Sequence, residues 1–146
     1  MATAGPLTEE ELRQFVDDWY EKLDVHAPVN EVLPLLVDDG LELVFPEVTE
    51  HGHSGFKTWY EKVTNRFFDE VHTLKELNIT PGEKGLIQLV VNWQCKIWDP
   101  PDAKSKWLGF DATQTWDMVR SPETGKPQIL RYSVDKFIPM PGSAPL

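Results

Sequence analysis

The chain reads as an α+β protein, with helices in its first half laid over a curved sheet built mainly from its second half. Three observations carry this. First, the clusters Thr80-Pro81-Gly82-Glu83-Lys84-Gly85, Asp99-Pro100-Pro101-Asp102-Ala103-Lys104 and Ser121-Pro122-Glu123-Thr124-Gly125-Lys126-Pro127 separate four long half-apolar runs. Their prolines preset φ, and the glycines of the first and third tolerate φ > 0, so they read as hairpin reversals. Second, the runs alternate with period two: Ile87, Leu89, Val91, Trp93, Cys95 and Ile97 stand against Gln88, Asn92, Gln94 and Lys96. Leu108, Phe110, Ala112, Trp116 and Met118 do the same against Asp111, Thr113, Thr115 and Asp117. Third, the first half carries helical apolar stripes. Four hairpin-linked strands make an antiparallel meander. Covered on one face by helices, it becomes a cupped α+β domain around a pocket.

Thr8-Glu9-Glu10-Glu11 reads as a capping box that starts the first helix. Leu12, Phe15, Val16, Trp19 and Leu23 then fall on one helical face, with Tyr20 at its border, where a tyrosine can keep its ring in the core and its hydroxyl in a cavity. A second, shorter helix is expected from Pro28, with the stripe Val29, Val32, Leu33 and Leu36 and an early end at Pro34. Asp38-Asp39-Gly40 closes it. Leu41 to Phe45 reads as a short strand stopped by Pro46, and residues 47–54 as a polar loop. A third helix is expected from about Gly55 to Phe68, presenting Phe56, Trp59, Tyr60, Val63 and Phe67. The meander strands exceed the usual five or six residues, so bulges are expected within them. One domain over residues 1–146 is expected, with irregular termini at 1–6 and 138–146.

At 146 residues the chain is long enough to bury about two thirds of its unfolded surface without staples. A net charge of −10 disfavours a phosphate-backbone grip on nucleic acid, and disfavours anionic membranes for the same reason. Cys95 is the single cysteine, which excludes an intrachain disulfide. With no basic-apolar leader and no run of about 20 apolar residues, a cytoplasmic location is expected. There is no dinucleotide fingerprint and no phosphate loop, so no cofactor is expected. His51-Gly52-His53, with Glu47 and Glu50, has metal-ligand types in a loop, but a metal site needs three or four converging ligands, and none is expected here.

The element order, with Leu33-Pro34-Leu35-Leu36-Val37-Asp38-Asp39-Gly40 before the first strand, the Gly55 helix, Val71-His72 opening the meander and Gly125-Lys126 before its last strand, resembles the nuclear transport factor 2-like, or SnoaL-like, superfamily. The resemblance spans about Leu7 to Phe137. That superfamily includes polyketide cyclases, ketosteroid isomerases, dehydratases and epoxide hydrolases, together with members that only bind or associate. It implies a cone-shaped, curved mixed sheet covered by three helices, whose aromatic-lined pocket suits a small apolar or cyclic ligand, with lyase- or isomerase-type proton transfer as one use. A non-catalytic dimeric association module or ligand carrier is the other. A homodimer through the exposed sheet face is implied in either case.

The first catalytic candidates are Tyr20 and His72. Trp19-Tyr20-Glu21 and His72 resemble the scytalone-type dehydratases, which implies an imidazole that removes a proton next to a carbonyl and a phenol that positions water or the carbonyl oxygen. The second tyrosine of that pattern is replaced by Leu43-Val44-Phe45. The same two residues also suit a tyrosine at the core edge and a histidine with its hydrogen bonds satisfied, the reading that residue type alone favours. Asp117, with Arg120 and Gly125-Lys126, resembles the acid of ketosteroid isomerases, but Phe45 before Pro46 stands where their base belongs, and parity places Asp117 with Thr113 and Thr115. Arg131 and Asp135 share a face opposite the more apolar Leu130, Tyr132 and Val134. The expected pocket lining is Phe15, Trp19, Phe45, Trp59, Val63, Phe67, Val91, Trp93 and Trp116. Trp98 and Trp107 flank the Pro-rich loop, at the sheet edge or the pocket rim.

Overall fold

The computed structural model describes residues 5–146; the expectation for residues 1–4 lies outside that range. The elements are α1 (Glu9–Asp24), α2 (Val29–Val32) continued by a 3-10 turn (Leu33–Leu35), β1 (Glu42–Val44), β2 (Thr49–His51), α3 (Gly52–Arg66), β3 (Phe68–Thr80), β4 (Gly85–Ile97), β5 (Lys106–Arg120) and β6 (Pro127–Pro139). The fold is α+β, with a six-stranded mixed sheet in the order β2-β1-β6-β5-β4-β3. The meander strands pair antiparallel with their sequence neighbours, and β1 joins β6 in parallel.

Local chemistry accounts for the helix ends. The Glu11 amide donates to Thr8 Oγ1 while the Thr8 amide donates to Glu11 Oε1, so both halves of the capping box are made. Pro34 ends α2 after one turn. The structure corrects the third helix, which begins at Gly52 rather than Gly55, and the loop before it, which contains β2. The reason is remote: Asp38 Oδ1 accepts the His53 amide at 2.9 Å, capping α3 from fifteen residues upstream. Gly52 turns into the helix at φ +68, a conformation that a side chain would strain. The irregular tail also starts later than expected, because β6 continues to Pro139.

Bulges curve the sheet. Register shifts fall between Phe68 and Val71 and between Leu74 and Glu76 on β3, and opposite Thr113/Gln114 and Asp117/Met118 on β6. The concave face packs on the helices. Its narrow end is closed by Leu12, Phe15, Val16, Trp19, Phe56, Trp116, Ile87 and Met118, all buried. The convex face carries the polar pairs. Arg131 Nε meets Glu42 Oε1 at 2.7 Å, Asp135 accepts from Thr115 and Ser133, and Asp111 accepts from Lys75 and Asn92. Asp117 lies between Leu86 and Arg131 on this face, back to back with the buried Trp116.

Candidate active site

The cone is open at its wide end, around a cavity of about 560 Å³. Its wall is made by Leu23 of α1, Trp59, Tyr60, Val63 and Phe67 from α3 and its end, Phe45 to Val48 of the β1–β2 loop, and the concave residues of β3 to β6. Phe45 and Trp59 stack at 4.6 Å with planes 9° apart, giving one flat apolar plate. Across the sheet side, Trp93 lies nearly parallel to the His72 ring at 6.5 Å. Plates of this kind suit a flat or cyclic guest.

Of the expected lining, Phe45, Trp59, Val63, Phe67, Val91 and Trp93 are in the wall. Phe15, Trp19 and Trp116 are not. They sit beneath it, where the cone is narrow enough for rings to touch: Phe15 meets Trp116 edge-on at 6.1 Å, and Trp19 meets Trp116 at 5.9 Å. Neither Trp98 nor Trp107 reaches the cavity, and the Trp98 indole donates to the Asp102 carbonyl at 2.7 Å.

The structure brings Tyr20 and His72 together, with ring centroids 4.8 Å apart and planes 26° apart. They have different roles in the geometry. His72 lines the cavity, and its Nδ1 lies 2.5 Å from Asp24 Oδ1, whose partner oxygen also receives the His72 amide at 3.4 Å. A carboxylate only accepts, so Nδ1 carries the hydrogen and Nε2 the lone pair. Among the described residues Nε2 has no protein partner, and His72 is part of the cavity wall. Tyr20 lies behind this wall. Its hydroxyl donates to Gln114 Oε1 at 2.9 Å, and burial first, then the Tyr132 and Asp24 charges, holds it protonated far above the ordinary phenol range.

Gln114 joins Tyr20 to the core. Its Oε1 also accepts the Trp116 indole N–H at 3.0 Å. Indole can only donate, which fixes that atom as the oxygen and leaves the amide N–H₂ as the donor end of a cavity-wall residue. Sequence reasoning missed Asp24 and Gln114. The signal for Asp24 was its position four residues after Tyr20, on the same helix face. Gln114 interrupts the apolar parity of its strand between Ala112 and Trp116, the mark of a buried polar group with work to do.

His53 serves the fold: its Nε2 donates to the Leu36 carbonyl at 2.9 Å. At the cavity mouth Glu47, Glu50, Lys62 and Arg66 supply charge of both signs, with Arg66 paired to Asp99.

No family model matches the sequence, and no curated protein matches it. Solved structures do. A type 2 hexachlorocyclohexane dehydrochlorinase is 14% identical, over 93% of this chain and 92% of that one, with a TM-score of 0.72. A protein described as a scytalone dehydratase, from Novosphingobium aromaticivorans, is 15% identical over 94% and 91%, with a TM-score of 0.64. Nuclear transport factor 2 from Cryptosporidium parvum is 13% identical over 96% and 100%, with a TM-score of 0.66. Identities this low speak of shared architecture: the chain has the nuclear transport factor 2-like, cystatin-like fold.

Proposed function

We propose that the protein binds a flat or cyclic, largely apolar molecule in the cone and removes a proton from carbon with His72, as a lyase or isomerase that needs no cofactor. One observation carries this: an imidazole in an apolar cavity wall has one nitrogen held by a carboxylate and the other without a protein partner among the described residues. Asp24 fixes the tautomer and stabilises the imidazolium formed when Nε2 takes the proton. The Gln114 amide is the donor for an oxygen that gains charge as the C–H bond breaks. Tyr20 is a positioning residue, stacked on the base and tied to that amide. A dehydrochlorinase and a dehydratase name among the structural neighbours agree with elimination chemistry. The convex sheet face is assigned to a second copy of the chain, and sedimentation at two concentrations checks it: a monomer throughout would overturn that assignment.

The test uses 5-nitro-1,2-benzisoxazole, a flat aromatic probe whose ring opens when base takes the C3 proton and the N–O bond breaks. The wild-type protein is expected to turn it over with saturation. His72→Asn is expected to lower the rate by about 10²–10⁴-fold, the usual worth of a positioned base. Asp24→Asn, which leaves the imidazole without its anchor, should give an intermediate loss. Wild-type turnover no better than free imidazole at equal concentration, or an unaffected His72→Asn variant, would sink the reading.

A further inference from the structure

A second histidine–carboxylate pair borders the same cavity. Glu70 is a wall residue whose side chain is only 7% exposed. Its Oε1 accepts the Trp93 indole N–H at 2.9 Å, and its Oε2 contacts His26 Nε2. His26 lies behind it in the turn after α1, with 28% of its side chain exposed to solvent. Thus a buried carboxyl in the cavity wall has both oxygens engaged, and a half-open imidazole links it to bulk water.

Two further facts set the pair apart from an ordinary core contact. His26 (φ 51) and Asp69 (φ 52), the residue before Glu70, are the non-glycine positions of positive φ among the described residues. Left-handed backbone costs of order 1 kcal/mol each and persists where surrounding structure holds it, often at functional sites. One of the two is the histidine of this pair and the other immediately precedes its carboxylate. Glu70 and His72 also lie two apart on β3 and both line the cavity, so their Cα atoms are about 7 Å apart. That span leaves room for an H–C–C–O unit between a base at one end and an acid at the other, each at hydrogen-bond reach.

We propose that Glu70 is the proton donor to the departing oxygen, recharged from solvent through His26, so that the cavity runs eliminations of hydroxyl or alkoxyl groups. This rests on His72 as the base. His72 Nε2 takes the C–H proton, and that electron pair forms the new π bond. The C–O bond breaks, and its oxygen receives the proton of the Glu70–His26 pair and leaves as water or alcohol. His72 then releases its proton to solvent, and His26 regains one. The substrate class is a cyclic or ring-fused molecule with a leaving oxygen β to an acidic C–H.

Other groups near Glu70 do not compete for this proton. Tyr60 on α3 is pushed up to about 12 by burial, then by the Glu70 and Glu31 charges, and Cys95 on β4 to about 12 by burial, then by Glu70. Arg66 is occupied by Asp99, and His72 by Asp24.

The experiment compares two probes, 5-nitro-1,2-benzisoxazole and the unsubstituted 1,2-benzisoxazole, whose poorer leaving phenolate gains more from protonation. Glu70→Gln keeps an oxygen for Trp93. It is expected to slow the unsubstituted probe at least tenfold more than it slows the nitro probe. His26→Asn, a residue type that tolerates positive φ, should show the same selectivity. A structural role would slow both probes alike. Equal losses on the two probes, or none on either, would overturn Glu70 as donor while leaving His72 intact. Loss of activity in His72→Asn, with these variants unselective, separates the two readings.

Discussion

Gln114 shows how much one residue can fix. A single oxygen holds the hydroxyl of Tyr20 and the indole of Trp116, both buried. Gln114→Leu would strand two donors, each worth about 1–3 kcal/mol when left unpaired. We expect a loss of about 2–4 kcal/mol in urea unfolding, together with slower probe turnover from a loosened Tyr20–His72 stack. Gln114→Glu, which keeps the acceptor, should recover most of the stability. At this scale the sequence was legible where chemistry is local. Tyr20 and His72 were singled out through a family resemblance, whereas the contacts of Asp24, Glu70 and His26 exist only once the end of α1 closes on β3. A charged residue at a helix end or strand start looks the same in sequence whether it is solvated or paired with a histidine.

Among the elements, α1 is tied down by Arg120 of β5. The guanidinium meets both oxygens of Glu11 at 2.7 and 2.8 Å and donates to the carbonyls of Gly5, Pro6 and Gly125. Its hydrogen bonds are the main cause holding the Glu11 carboxyl at about 2, below an ordinary 4.5. A carboxyl whose folded value is depressed adds stability above its unfolded value, and that stability is lost as pH falls through the folded one. Wild-type stability should therefore decline between about pH 4.5 and 2. Arg120→Met should lower it by about 2 kcal/mol at neutral pH and flatten that acid decline, as urea titrations at both ends of the window would show. The capping box was plain in the sequence because its partners lie three residues apart. The start of α3 was not, because its cap comes from Asp38, and β2 was hidden because a three-residue edge strand exists only through its pairing with β1.

For the whole molecule, apolar stripes predicted which rings face inward but not how far up the cone they sit. Depth is set by sheet curvature, hence by bulges on β3 and β6 that no alternation pattern encodes. The base of the cone carries packing and the mouth, on the proposed reading, carries binding, so the two should separate by mutation. Phe56→Ala, at a fully buried ring, should cost about 3–5 kcal/mol. Val63→Phe, in the open wall, should leave the melting temperature unchanged or raised while raising the KM for the benzisoxazole probe several-fold. Calorimetry and steady-state kinetics on the two variants check this division. No helix is long and apolar enough to cross a membrane, and the charge of −10 is spread over a surface whose pairs are mostly exposed.

The aromatic plates of the wall also give the protein an optical handle. Of the six tryptophans, Trp59 and Trp93 border the cavity, one stacked on Phe45 and the other bonded to Glu70 beside His72. Trp19 and Trp116 are sealed below. A guest entering the cone displaces water from two indoles and leaves the sealed pair untouched, so occupancy becomes visible in intrinsic emission without any label. Replacing Trp59 and Trp93 in turn by phenylalanine would assign the quenched component to one plate or the other.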